Sequence, residues 1–107
     1  MMKCLTLIVA ASAKRDLADR LRNIEAVAGF TILSCEGHGS ETQHDAFLSV
    51  RDRVVGYVPR VRVDIILEDA EVKGVLEALK KSFLTDDADC SRIGIWFVTD
   101  IQASGEL

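Results

Sequence analysis

Positive charge is in deficit: 13 Lys and Arg stand against 17 Asp and Glu in 107 residues, a net charge of −4. A protein that grips nucleic acid or another polyanion needs surplus Lys and Arg to displace counterions from phosphates, so that class is excluded. Aromatic residues are only 6% of the chain, and a sheet that reads RNA would need them on its central strands beside a basic face. The three cysteines, Cys4, Cys35 and Cys90, are odd in number, far apart and without CxxC spacing. They form neither a disulfide framework nor a zinc motif, and a reducing cytoplasm is the expected setting. No apolar run approaches the ~18 residues of a membrane helix.

What is present is a chain with 49% apolar residues, read as one domain over 1–107. At this length folding hides roughly 65% of the unfolded surface, enough for a single modest core that partners can complete. Lys3, the apolar stretch from Cys4 and the run Ala11-Ser12-Ala13 imitate a secretory leader with its cleavage site. The preferred reading is a first strand over 3–9, since its loss would leave the later strands unpaired.

Leu17, Leu21 and Ile24 recur at helical spacing, which predicts an amphipathic helix over 13–27 capped by Ser12. FTILSCE (30–36) reads as a second strand. Residues 37–52 hold two glycines and many polar side chains with no sustained period, which marks a long loop, and loops of that length in compact domains tend to be functional. Val61, Val63, Ile65 and Leu67 alternate with polar residues as a third strand, with Pro59 at its start. From Asp69, Val72, Val75, Leu76, Leu79 and Phe83 trace a second helix, and RIGIWFV (92–98) is a fourth strand after the polar loop 84–91. The order is two βαβ halves, an α+β, ferredoxin-like βαββαβ sandwich with both helices on one face.

Alternation predicts which sheet face each residue takes. Leu5, Leu7, Val61, Val63, Ile65, Ile93, Ile95 and Phe97 are expected toward the helices. Ile8, Leu33, Ile66, Trp96 and Val98 are expected on the other face, beside Cys4, Thr6, Arg60, Arg62, Asp64 and Arg92. That much apolar area on a helix-free face points to a subunit interface.

Gly29-Phe30-Thr31, Glu36-Gly37-His38-Gly39, Val58-Pro59-Arg60-Val61-Arg62 and Ile95-Trp96-Phe97-Val98, with a long loop between the second and third motifs, resemble the PII signal-transduction proteins and their PII-like relatives. The EGHG start of the loop and Gly105 are most similar to a PII-like subgroup often encoded beside heavy-metal or cation efflux pumps. The resemblance implies a non-enzymatic homotrimer with small effectors in the clefts between subunits. It also implies a T-loop, here about 37–52, that engages a membrane transporter.

On that resemblance the effector-binding candidates are Thr31, Gly37, His38, Gly39, Arg60, Ile66 and Arg92. Gly37 and Gly39 would let backbone amides approach a ligand, Thr31 and Ile66 would frame an adenine, and Arg60 and Arg92 are cations for a phosphate, carboxylate or bicarbonate. The chain departs from the nitrogen-regulating members at several points. Ser40-Glu41 replaces an Arg-Gln pair, Ala88-Asp89-Cys90-Ser91-Arg92 replaces a Gly/Lys-rich phosphate cradle, and two arginines near the C-terminus are missing. Asp86, Asp87 and Asp89 would repel polyphosphate, and Arg53 stands where those members carry the modified tyrosine. The cofactor is therefore left unknown.

The alternative is a metal-responsive trimer in which His38 and His44, near Cys35, Glu36, Glu41 and Asp45, hold Zn²⁺ or Cu²⁺, although no fixed metal-motif spacing is present. No Ser-His-Asp arrangement, carboxylate pair or Walker loop supports catalysis.

Overall fold

The computed structural model describes residues 1–38, 57–84 and 93–107. Strand β1 (Met2–Ala10) leads through a 3-10 turn (Ala11–Ala13) into helix α1 (Lys14–Arg22). Strand β2 (Thr31–Gly37), strand β3 (Val58–Glu68), helix α2 (Asp69–Leu84) and strand β4 (Gly94–Asp100) follow. The strands form one antiparallel sheet in the order β2-β3-β1-β4. This is the α+β, ferredoxin-like arrangement expected from the sequence. The leader-like stretch is β1, paired on both sides. Among the described residues no helix is long and apolar enough to cross a membrane.

One layer of core lies between the sheet and the helices. Leu5, Leu7 and Val9 of β1 and Val61, Val63, Ile65 and Leu67 of β3 meet Leu17 and Leu21 of α1 and Val75, Leu76 and Leu79 of α2. Each such side chain contributes about 1.5–3 kcal/mol by leaving water. Ile32, Ile24 and Ile93 pack against this cluster.

Three local expectations are corrected. Helix α1 stops at Arg22 rather than near Val27, because Asn23 leaves the helix at φ −91° and ψ 0° and its side-chain amide donates to the Asp19 carbonyl at 3.0 Å. Ser12 is not its cap: the chain enters through the 3-10 turn, which puts Ala13 at the cap position, with no side chain able to accept a hydrogen bond. Strand β4 runs two residues later than expected and ends at Asp100.

Pro59 sits inside β3 and opposite Glu36, but pairing with β1 begins only at Arg60, so its missing N–H costs no ladder bond on that side. Helix α2 follows β3 without a loop, and Asp69 and Glu71 in its first turn complement the helix dipole.

The fourth correction concerns the faces of β4. Leu5 pairs with Val98 and Leu7 with Trp96, whereas Thr6 pairs with Phe97 and Ile8 with Ile95. Directly paired residues share a face, so Trp96 and Val98 lie on the helix side and Ile95 and Phe97 on the open side, the reverse of the expectation. The ammonium of Lys80 on α2 stands 5.4 Å from the Trp96 ring centre, in keeping with this. The register is anchored where Gly94 crosses Val9: a Cβ there would lie 2.0 Å from the Ile8 carbonyl oxygen, so only glycine fits.

Candidate functional site

The helix-free face carries a polar network at its centre. The Thr6 hydroxyl donates to Asp64 Oδ1 at 2.7 Å, and Arg62 Nε donates to both Asp64 oxygens at 3.2 and 3.3 Å. Cys4 Sγ lies 3.7 Å from the Thr6 oxygen and 3.9 Å from Asp64. The Arg62 guanidinium stands 5.9 Å from the centre of the Phe97 ring. Thr6 is only 1% exposed, although no helix covers this face. Its neighbours bury it, and the bond to Asp64 removes the cost of an unpaired hydroxyl there. Exposed Leu33, Ile66, Ile95 and Phe97 occupy the same face.

The effector candidates fall into two groups. Thr31 opens β2 opposite Asp64, and Ile66 lies two positions further along β3, so the two are diagonal neighbours on the open face. Gly37, His38 and Arg60 sit at the other end of β2, where Gly37 pairs with Val58 and Cys35 with Arg60. Six positions of extended chain separate Thr31 from Gly37, and Ile66 from Arg60, by roughly 20 Å, while Arg60, opposite Cys35, lies about 13 Å along the sheet from Thr31.

The second group is built around glycine. A Cβ on Gly37 would stand 2.7 Å from Cδ and Nε of Arg60, so the arginine stem lies across this residue. The His38 ring stands 5.9 Å from that of Tyr57 at an interplanar angle of 53°. The rings thus flank the connection between β2 and β3. β2 ends at Gly37 and β3 begins at Val58, and most of the expected loop over 37–52 lies outside the described residues. Gly39, His44 and Arg92 lie outside the described residues.

Tyr57 was not singled out by the sequence reading, although it directly precedes the Val58-Pro59-Arg60 motif and is exposed, as a residue reserved for contact would be. Among the described residues no three His, Cys, Asp or Glu side chains come together to hold a metal ion. At the far end of the sheet Lys3 is hydrogen-bonded to Asp100. That bond, with the negative charges of Asp100 and Asp69, raises the lysine pKa above its ordinary value against the opposing effect of burial.

The family model for DUF3240, described as a protein of unknown function, matches residues 1–107. A nitrogen regulatory protein P-II from Rhizobium leguminosarum bv. viciae is 30% identical over 78 residues, 71% of this chain. The match spans 66% of that protein's length. A DUF3240 family protein from Shewanella baltica OS155 superposes with a TM-score of 0.72 at 21% identity, over 99% of this chain and 96% of the other. CPII, a nitrogen regulatory PII-like protein from Thiomonas intermedia K12 bound to ADP, AMP and bicarbonate, superposes with a TM-score of 0.66 at 23% identity, over the same shares of the two chains.

Proposed function

The chain belongs to the DUF3240 family and has the PII-like fold, and from that premise we propose a regulatory protein without catalytic activity. It is a cytoplasmic homotrimer that senses a small effector in the clefts between subunits. The effector class is an adenine nucleotide or a small anion such as bicarbonate. Occupancy of the cleft changes the state of the T-loop, about residues 37–52, and that segment acts on a membrane transporter for cations or heavy metals. A switch of this kind requires the effector to bind one state of the segment more tightly than the other.

The observation that carries the reading is the separation of the candidate residues. Thr31 and Ile66 stand at one end of β2 and Gly37, His38 and Arg60 at the other. A mononucleotide is shorter than the roughly 20 Å between Thr31 and Gly37 and between Ile66 and Arg60, so these pairs are poorly placed to close around one ligand within one chain. Two chains side by side can close around it, with Thr31 and Ile66 of one facing Gly37 and Arg60 of the next. The apolar open face supplies the reason for chains to meet. The ligands bound to CPII support the effector class, and Arg60 offers a fork for phosphate or carboxylate.

Calorimetric titration of the purified protein with ADP, AMP, bicarbonate and Zn²⁺ tests the reading. ADP or AMP is expected to bind at up to one site per chain, with Arg60→Ala weakening it at least about tenfold, the value of one charge-assisted contact. Saturable Zn²⁺ binding that disappears in His38→Ala would move the assignment to metal sensing. Turnover of the added nucleotide would make the protein an enzyme.

A further inference from the structure

Strand pairing lays out the helix-free face in rows. One row across it is Leu33, Arg62, Ile8 and Ile95, and the next on that face is Thr31, Asp64, Thr6 and Phe97. Thr6 is the middle residue of β1, which with β3 forms the centre of the sheet. A charged pair therefore lies at the middle of a face whose surroundings are apolar: Leu33, Ile66, Ile95 and Phe97 are 50%, 51%, 53% and 37% exposed. Whatever covers those four side chains covers Arg62 and Asp64 as well.

Within one chain this pair is incompletely bonded. Asp64 accepts from the Thr6 hydroxyl and from Arg62 Nε, and an ionised carboxylate has capacity for further donors. Arg62 engages Asp64 through Nε alone, and its Nη groups have no acceptor among the described residues. With 45% of the Arg62 side chain exposed, water can serve those donors in a single chain. Once the face is covered, donors of a charged group left without an acceptor are strongly unfavourable. The covering surface must bring an anionic acceptor to them. A partner offering acidic side chains alone would set its charge beside Asp64. A second copy of this chain brings donor and acceptor together, so each Arg62 meets an Asp64 and each Asp64 an Arg62.

We infer that the Nη groups of Arg62 in one chain donate to Asp64 of a neighbouring copy, and that this contact selects copies of the same chain as partners; this rests on the trimer proposed above. Packed sheets stand about 10 Å apart, within the combined reach of an arginine and an aspartate side chain. Both groups are held in place beforehand, the carboxylate by Thr6 at 2.7 Å and the guanidinium by the Phe97 ring at 5.9 Å. A covered ion pair adds little stability over apolar side chains of the same volume, but one left without its partner is strongly destabilising. The pair thus discriminates between partners more than it strengthens their association.

NMR of wild-type protein reassembled from chains labelled with heavy nitrogen and chains labelled with heavy carbon tests the contact, with sedimentation run in parallel. In a trimer, a cross-peak between Arg62 Nη–H of one label and the Asp64 methylene of the other supports it. A trimer without that cross-peak, or with Arg62 Nη–H signals averaged into water, overturns it and leaves the trimer intact. A monomer in sedimentation overturns the underlying reading instead. As a second probe, Arg62→Met strands Asp64 in the covered face and is expected to weaken assembly by about a hundredfold or more. Arg62→Met/Asp64→Leu removes both members and should return assembly to within about tenfold of the wild type. Arg62→Met chains that assemble as the wild type does, or a double variant that assembles no better than Arg62→Met, would count against the contact. Wild-type and double-variant chains reassembled together should sort into separate trimers, and random mixing would refute the selection of like chains.

Discussion

Gly94→Ala isolates the register on which the assignment of β4 depends. The added Cβ would lie 2.0 Å from the Ile8 carbonyl oxygen and 2.9 Å from Ile8 C and Val9 Cα. All three are backbone atoms, so no side-chain rotation relieves the overlap, and the start of β4 must move away from β1. That displacement breaks the two hydrogen bonds between Ile95 and Ile8, together about 2 kcal/mol net, and adds strain of about 1–3 kcal/mol. A total loss of about 3–5 kcal/mol lowers the melting temperature by roughly 12–40 °C for a chain of this size. The assay is thermal unfolding at one fixed protein concentration, since assembly makes melting concentration-dependent. Gly74→Ala is the control: a Cβ there meets nothing within 4 Å, and it stabilises α2 by about 0.5–1 kcal/mol. If Gly94→Ala costs less than about 1 kcal/mol, the crossing of Gly94 over β1, and with it the face assignment of Trp96 and Phe97, is refuted.

Three further outcomes are expected. Thr6→Val keeps the side-chain shape but deletes the donor to Asp64, and urea unfolding should show a loss of about 1–2 kcal/mol. Gly37→Ala displaces the flexible Arg60 stem rather than backbone. It should therefore cost the fold less than about 1 kcal/mol while lowering ADP or AMP affinity in calorimetry by about tenfold. The Lys3 pKa is raised in the folded state, so its contribution to stability is complete below the ordinary lysine value of 10.5 and is lost as pH rises through the folded value. Denaturation midpoints should fall above pH 10.5 in the wild type, and Lys3→Met should lack that component of the fall.

Much of the fold was legible because β1, β3 and α2 carry strong periods. Val61, Val63, Ile65 and Leu67 declare a buried face by alternation alone, and they form it. Strand β4 was different. Ile95-Trp96-Phe97-Val98 is apolar at both parities, so hydrophobicity could not say which residues face the helices; the pairing register with β1 decides it. The end of α1 was hidden because Ile24 and Val27 continue the helical spacing beyond Asn23, yet both pack on the core from a turn. The candidate residues themselves were found from short motifs. Their division between the two ends of β2 depends on strand pairing, which no local pattern encodes.

The central claim is that each effector site is shared by two chains, and subunit mixing tests it most directly. Two variants would be prepared, Thr31→Ala/Ile66→Ala and Gly37→Ala/Arg60→Ala, each unable to bind ADP alone, then dissociated, mixed in equal amounts and reassembled. Random reassembly into closed trimers gives about a quarter of the clefts one intact half from each chain, so calorimetry should recover about a quarter of the wild-type ADP sites. A mixture that binds no ADP, although wild-type protein taken through the same cycle regains its sites, would contradict the account.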